Sequence, residues 1–276
     1  MKHGLGSGFA LAVSPIARTA LATSAQGLEA SEVKIPTGSG DIPAYRARRQ
    51  LPGDPKRKLA VLLVVHEIFG VHEHIKDLCR RFAKLGYFAI APDLFARQGD
   101  ASKITDVKQL VQDIVSKAPD EQVLSDLDAT LAWASGQAQV SPEQVGITGF
   151  CWGGRISWLY AAHQPKLKAA VAWYGKMIGD KDPLHPKHPL DIAGELKAPV
   201  LGLYGAQDQG ITLHSLDQMR TALKASANAA AQQSEFHLYP DAGHAFAADY
   251  RPSYRKADAE DGFTRMQAWF KAHGVV

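Results

Sequence analysis

At 276 residues, with 46% hydrophobic side chains and a formal charge of +3, the chain can bury a large core and is too apolar to be disordered. Lys and Arg are scattered among Asp and Glu, with no basic block interleaved with aromatics, which argues against nucleic acid as a partner. The longest apolar stretch, Leu59 to Val65, is far short of a membrane span, and Cys79 and Cys151 form neither a disulfide framework nor a zinc spacing.

Residues 1–31 read as a flexible leader of a cytoplasmic protein. The alternative is the remnant of an export signal, since Met1-Lys2-His3 precedes the weakly apolar Leu5 to Ala12 and Ala20-Leu21-Ala22 offers a small-x-small site. A single domain is then expected over 32–276. Glu32 to Pro36 and Ile42 to Arg48 suit two antiparallel edge strands joined by Thr37-Gly38-Ser39-Gly40. Leu59 to Val65 is a continuous apolar run, the signature of a strand covered on both faces. A helix over 73–85 carries Cys79 beside the stripe Ile75, Leu78, Phe82 and Leu85, which makes that cysteine a packing residue. The strand Phe88 to Ala91 follows, then helices over about 105–117 and 120–135. A strand ends at Cys151 and a helix continues to about His163. Strands over Ala169 to Tyr174 and Val200 to Tyr204, a helix over about 213–226, a strand over Glu235 to Tyr239 and a helix over about 256–272 complete the chain. This alternation predicts a doubly wound, mostly parallel α/β sheet with helices on both faces. The irregular stretch Lys176 to Pro199 is a candidate rim or lid over the strands' carboxyl ends, where such sheets bind ligands.

The chemistry starts at Gly149-Phe150-Cys151-Trp152-Gly153-Gly154, a Gly-x-nucleophile-x-Gly elbow with cysteine at its apex. Such an elbow predicts an acid after a later strand and a histidine after the next. Asp208 follows Val200-Leu201-Gly202-Leu203-Tyr204, and His244 follows Phe236-His237-Leu238-Tyr239. Asp241, in a Pro-Asp-Ala-Gly turn, is the rival acid. A thiol of pKa about 8.5 is only a few per cent thiolate at pH 7, so a base is needed. His244 would take the proton and return it to the leaving group, with Asp208 fixing the imidazole tautomer. The backbone N–H of Trp152, opening a helix, would receive the oxyanion together with a second donor from the loop after the first buried strand.

That loop is His66-Glu67-Ile68-Phe69-Gly70. Together with Ala91-Pro92-Asp93-Leu94-Phe95-Ala96-Arg97-Gln98, the elbow and Ala242-Gly243-His244-Ala245-Phe246, it resembles the dienelactone hydrolase family over roughly residues 32 to 272. The resemblance implies an α/β-hydrolase fold, a Cys151-Asp208-His244 triad and a monomer hydrolysing a small ester or lactone through a thioester, without cofactor or metal. It also implies that Glu67 holds and primes the resting thiol, and that the Ile68 N–H completes the oxyanion hole. His66-Glu67 and His72-Glu73-His74 lack the His-Glu-x-x-His spacing of a zinc helix.

Family members that open dienelactones grip the substrate carboxylate with an arginine and a serine in the segment after the catalytic histidine, and with a second arginine. Here the segment reads His244-Ala245-Phe246-Ala247-Ala248. Arg251 and Arg97 are the candidate replacements, and Trp173 and Phe246 are candidate walls of an apolar pocket. A catalytically silent hydrolase-fold binding module and a glutamine-amidotransferase-like cysteine enzyme are the alternatives. The latter takes its histidine from just after the cysteine, where this chain has Trp152-Gly153-Gly154.

Overall fold

The structure, a computed structural model, describes residues 23–51 and 56–276. The question of a leader or signal therefore lies, for residues 1–22, outside the described residues. Among the described residues eight strands form one sheet: β1 (Leu28–Ile35), β2 (Ile42–Arg49), β3 (Leu59–Val65), β4 (Phe88–Pro92), β5 (Val140–Phe150), β6 (Ala169–Trp173), β7 (Val200–Gly205) and β8 (Glu235–Tyr239). Their spatial order is β1-β2-β4-β3-β5-β6-β7-β8. The first two are antiparallel additions at one edge, and β4 through β8 pair in parallel.

Every residue of β3, β4, β6 and β7 is buried, which is why these strands read as unbroken apolar runs. Among the described residues seven helices accompany the sheet: α1 (Glu73–Leu85), α2 (Val107–Asp113), α3 (Asp120–Ser135), α4 (Trp152–His163), α5 (Leu213–Ala225), α6 (Ala229–Gln233) and α7 (Lys256–Ala272). Strand alternation in β5 shows the two layers. A Cβ on Gly146 would stand 3.0 Å from Phe270 and Val275, at and beyond the end of α7, whereas one on Gly149 would stand 2.1 Å from the Gly153 carbonyl oxygen of α4. Helix α1 meets α7 through the Phe82 and Phe263 rings.

Several boundaries differ from expectation. Strand β1 begins at Leu28, so residues 28–31 belong to the sheet and not to a leader; they pair with Arg46 to Arg49, and Leu28 is buried. The helix expected over 105–117 breaks after Asp113 into a 3₁₀ turn at Val115–Lys117, because Ile114 leaves helical geometry at φ −120°, ψ −63°. Strand β6 stops one residue early, at Trp173, since Tyr174 takes φ +39°. The short helix α6 was not anticipated.

The stretch 176–199 is irregular apart from a 3₁₀ turn at Pro189–Ile192, and it is tied down. Arg155 of α4 makes a buried bidentate pair with Asp120, both contacts at 2.7 Å. The same guanidinium donates to His188 Nδ1 and to the Lys187 carbonyl, and the Leu184 carbonyl accepts from the Asp120 N–H. These bonds fasten residues 184–188 to α3 and α4.

Candidate active site

Between β5 and α4 the chain turns at Cys151, which takes φ +56°, ψ −115°, a conformation disfavoured for a residue bearing a Cβ. The surrounding structure holds it there. The Cys151 N–H donates to the Trp173 carbonyl, and its carbonyl accepts from the Gly154 and Arg155 N–H groups. The glycines around it are required by close backbone approach. A Cβ on Gly153 would lie 2.5 Å from the Val65 carbonyl oxygen and 2.6 Å from that of His66, and one on Gly154 would lie 2.5 Å from that of Trp173. The first turn of α4 is thus pressed against the end of β3, which brings the Trp152 N–H and the loop bearing Ile68 together.

The two expected partners meet the thiol. His244 Nε2 lies 3.2 Å from Cys151 Sγ, and His244 Nδ1 lies 2.7 Å from Asp208 Oδ2. The other Asp208 oxygen accepts from the Gly210 and Ile211 N–H groups at 2.8 and 3.1 Å. Asp241 points elsewhere, exposed and 3.7 Å from Arg255. Burial alone would lower the His244 pKa, but the Cys151 sulfur and the Asp208 carboxylate outweigh it and raise it well above the ordinary value. The imidazole is therefore a strong base for the thiol. Tyr174, fully buried, sets its ring edge to face against His244 at 5.2 Å. The backbone N–H groups of Ile68 and Trp152 donate to no protein group among the described residues.

Glu67 departs from its expected place. Its buried carboxylate does not bond the thiol, which is turned to His244. It accepts from the Tyr250 hydroxyl at 2.9 Å and from Arg251 Nη2 at 3.5 Å, with His72 Nε2 at 3.8 Å. Burial would raise the Glu67 pKa, but Arg251, His72 and His74 together hold it well below the carboxylate range. Arg251 in turn donates to Tyr250 and sits 5.0 Å from the centres of the Phe69 and Tyr250 rings. It is the cation beside the thiol, and its charge is matched by Glu67.

The side chains of the other candidate substrate contacts are engaged by other partners. Arg97 forms a bidentate pair with Asp126 and a bond to Thr37, so it ties the loop after β4 to α3. Trp173 is fully buried, donating to Thr148 Oγ1 and packing on Phe263; Phe246 is fully buried against Trp173, Tyr174 and Tyr239. Both belong to the core beneath the site, because a ring on a parallel strand or under a strand-end loop has α7 to pack on. Ala245, at φ +59°, and Ala248 are buried and supply no polar group where an arginine and a serine were sought. Tyr174 and Tyr250 read in the sequence as aromatics near strand ends that pack or wall a pocket, and nothing there singles out His66 as a positioned neighbour. Among the described residues no three His, Cys, Asp or Glu side chains converge as metal ligands, and no helix is long and apolar enough to cross a membrane.

The eight-stranded sheet, the strained elbow between a central strand and a buried helix, and Asp208 and His244 on the loops after β7 and β8 define an α/β-hydrolase fold. The dienelactone hydrolase family model matches residues 44–274. A relative from Methylorubrum extorquens, provisionally named carboxymethylenebutenolidase, is 58% identical over 99% of this chain and 91% of its own length. One of the same provisional name from Escherichia coli is 54% identical over 97% of this chain and 96% of its own. The crystal structure of a provisionally assigned dienelactone hydrolase from Klebsiella pneumoniae, 52% identical, superposes with a TM-score of 0.83 over 88% of this chain and 98% of that one. The chain belongs to the dienelactone hydrolase family and is a hydrolase.

Proposed function

We propose that this enzyme hydrolyses small carboxylic esters or lactones through a thioester on Cys151. The observation that carries the reading is the continuous line from Cys151 Sγ through His244 to Asp208, at 3.2 and 2.7 Å, on the apex of the elbow. In acylation His244 takes the thiol proton as sulfur attacks the carbonyl carbon, and the carbonyl electrons move onto oxygen between the N–H groups of Trp152 and Ile68. Collapse expels the alcohol, protonated by His244. Water, deprotonated by the same imidazole, then attacks the thioester, and the thiol leaves with the proton. Asp208 keeps the imidazole turned with Nε2 toward sulfur and stabilises the imidazolium.

The substrate we assign is an uncharged ester or lactone. Arg251, a cation whose charge reaches Cys151, is paired with Glu67 at 3.5 Å, and the alanines at 245 and 248 add no anchor for a carboxylate. The test is turnover of p-nitrophenyl acetate with mass spectrometry of the protein. A stoichiometric acetyl adduct on Cys151, together with loss of turnover in Cys151→Ala, is expected. Full activity in Cys151→Ala would overturn the reading, and a wild-type protein with neither turnover nor adduct would point instead to a silent binding module.

A further inference from the structure

His66 is a fully buried histidine that the acylation chemistry does not use. Its Nε2 accepts the Leu94 N–H at 3.1 Å, and its Nδ1 lies 2.6 Å from the Glu67 carbonyl oxygen. An N–H can only donate and a carbonyl can only accept, so the ring is the neutral tautomer carrying its proton on Nδ1. Burial pushes its pKa below the ordinary value, which keeps it in that form. The Glu67 carbonyl and the Ile68 N–H belong to one peptide unit. In a planar trans peptide these two groups point in opposite directions, so a bond that fixes the carbonyl also fixes the N–H. The ring also stacks on Trp152, with centroids 5.4 Å apart and planes inclined by 15°, and its other neighbour is the edge of Phe95 at 4.8 Å.

We infer that His66 is the positioning residue of the oxyanion hole: it orients the Glu67–Ile68 peptide by hydrogen bond and braces Trp152 by stacking. It rests on the cysteine-hydrolase reading above, because it assigns no role unless Ile68 and Trp152 face an oxyanion. The bond to the carbonyl also polarises the peptide and strengthens its N–H as a donor. Leu94 anchors the ring from the loop after β4, so the precision of the hole derives from a neighbouring strand end, outside the triad.

The test separates two reactions of the same thiol. Acylation by p-nitrophenyl acetate builds an oxyanion; alkylation by iodoacetamide displaces iodide at a saturated carbon and builds none, while Cys79 is fully buried and unreactive. His66→Phe keeps a ring for the stack and removes both hydrogen bonds. Loss of one oxyanion donor lowers kcat by about 10²–10³, so misorienting one donor is expected to lower kcat by roughly 10–100-fold. KM and the alkylation rate should stay within about threefold of wild type, the readout a merely structural role would not give. His66→Gln, which retains a donor and an acceptor, should recover most of the acylation-to-alkylation ratio. If His66→Phe does not fold, His66→Met enters the same comparison, and alkylation counts competent thiols in each preparation. Parallel loss of both reactions, or an unchanged ratio in the variants lacking hydrogen bonds, overturns the assignment. Wild-type turnover that does not depend on Cys151 would instead sink the parent reading.

Discussion

Replacing Asp208 with asparagine tests the base directly, because the structure dictates which way the amide must sit. One Asp208 oxygen accepts two backbone N–H groups, from Gly210 and Ile211, and the other accepts from His244 Nδ1. In Asp208→Asn the amide oxygen must take the side facing Gly210 and Ile211, since an NH₂ there would confront two donors. The NH₂ is then turned to His244 Nδ1, which can accept it only if the imidazole proton moves to Nε2. That tautomer points N–H at Cys151 and cannot take the thiol proton. In a serine triad the same exchange costs about 10⁴ in kcat; a thiol is the more acidic nucleophile, so roughly 10²–10⁴ is expected here. That is about 2.7–5.4 kcal/mol of transition-state stabilisation. The assay is kcat/KM for p-nitrophenyl acetate at pH 7, beside thermal unfolding to show that the fold survives. Asp241→Asn, at an exposed turn, should remain within about twofold of wild type, as surface changes away from such networks do. A loss of less than tenfold in Asp208→Asn would refute the assignment of Asp208 as the residue that sets the tautomer.

The remaining predictions concern buried charge. Arg155→Met strands the Asp120 carboxylate inside the rim, so unfolding free energy should fall by about 3–5 kcal/mol; a change under about 1 kcal/mol in denaturant melts would contradict the pairing. The Glu67 pKa is depressed by Arg251, His72 and His74 against its burial, so its stabilisation is present above the ordinary value of 4.5 and lost as pH falls through the folded value. The stability gap between wild type and Glu67→Gln should therefore be widest above that pH and narrow below it; a gap independent of pH from 3 to 8 in thermal melts would count against the ion pair. For substrate choice, a neutral ester should exceed its carboxylate-bearing analogue in kcat/KM. Glu67→Gln, by releasing Arg251, should raise the charged-to-neutral ratio at least tenfold, the scale of one charge-assisted hydrogen bond of about 1.5–3 kcal/mol; an unmoved ratio would remove Arg251 from recognition.

The parts of this molecule legible in the sequence are those with a local cause. The apolar runs Leu59 to Val65 and Val200 to Tyr204 announce strands covered on both faces, and the elbow glycines announce a backbone contact that a Cβ would block. Loops after parallel strands share one edge of the sheet, so the places of Asp208 and His244 after strands predict the meeting with Cys151 that the distances of 2.7 and 3.2 Å show. Whether a side chain at a strand end faces the ligand or the core is decided by neighbours distant in sequence. Trp173 and Arg97 look alike as candidates, yet one packs on Phe263 and the other pairs with Asp126. Glu67 illustrates the same limit. The resemblance placed it on the thiol, and the tertiary structure gives its carboxylate to Tyr250 and Arg251, which lie at the far end of the chain.

The charges gathered around Cys151 bear on the substrate as well as on the rate. Burial and surrounding carboxylate and thiolate charge keep the Tyr174 and Tyr250 hydroxyls neutral, and burial keeps His66 and His72 neutral. Asp208 and Glu67 against Arg251 leave these three groups with one net negative charge. Moving the thiol proton to His244 does not alter that total, nor does attack on a neutral ester, where the oxyanion replaces the thiolate. Each step of the proposed acylation relocates charge inside the site without importing any, so no step incurs the cost of burying a new ion. A substrate carboxylate would add a second negative charge to a site where donors are few and the dielectric is low. At an effective dielectric of about 20, unlike or like unit charges 4 Å apart interact by about 4 kcal/mol. Glu67 would have to yield Arg251 to such a substrate, and the freed carboxylate would then need His72 to charge in its place. An uncharged ester avoids both rearrangements, which is the physical ground for assigning one.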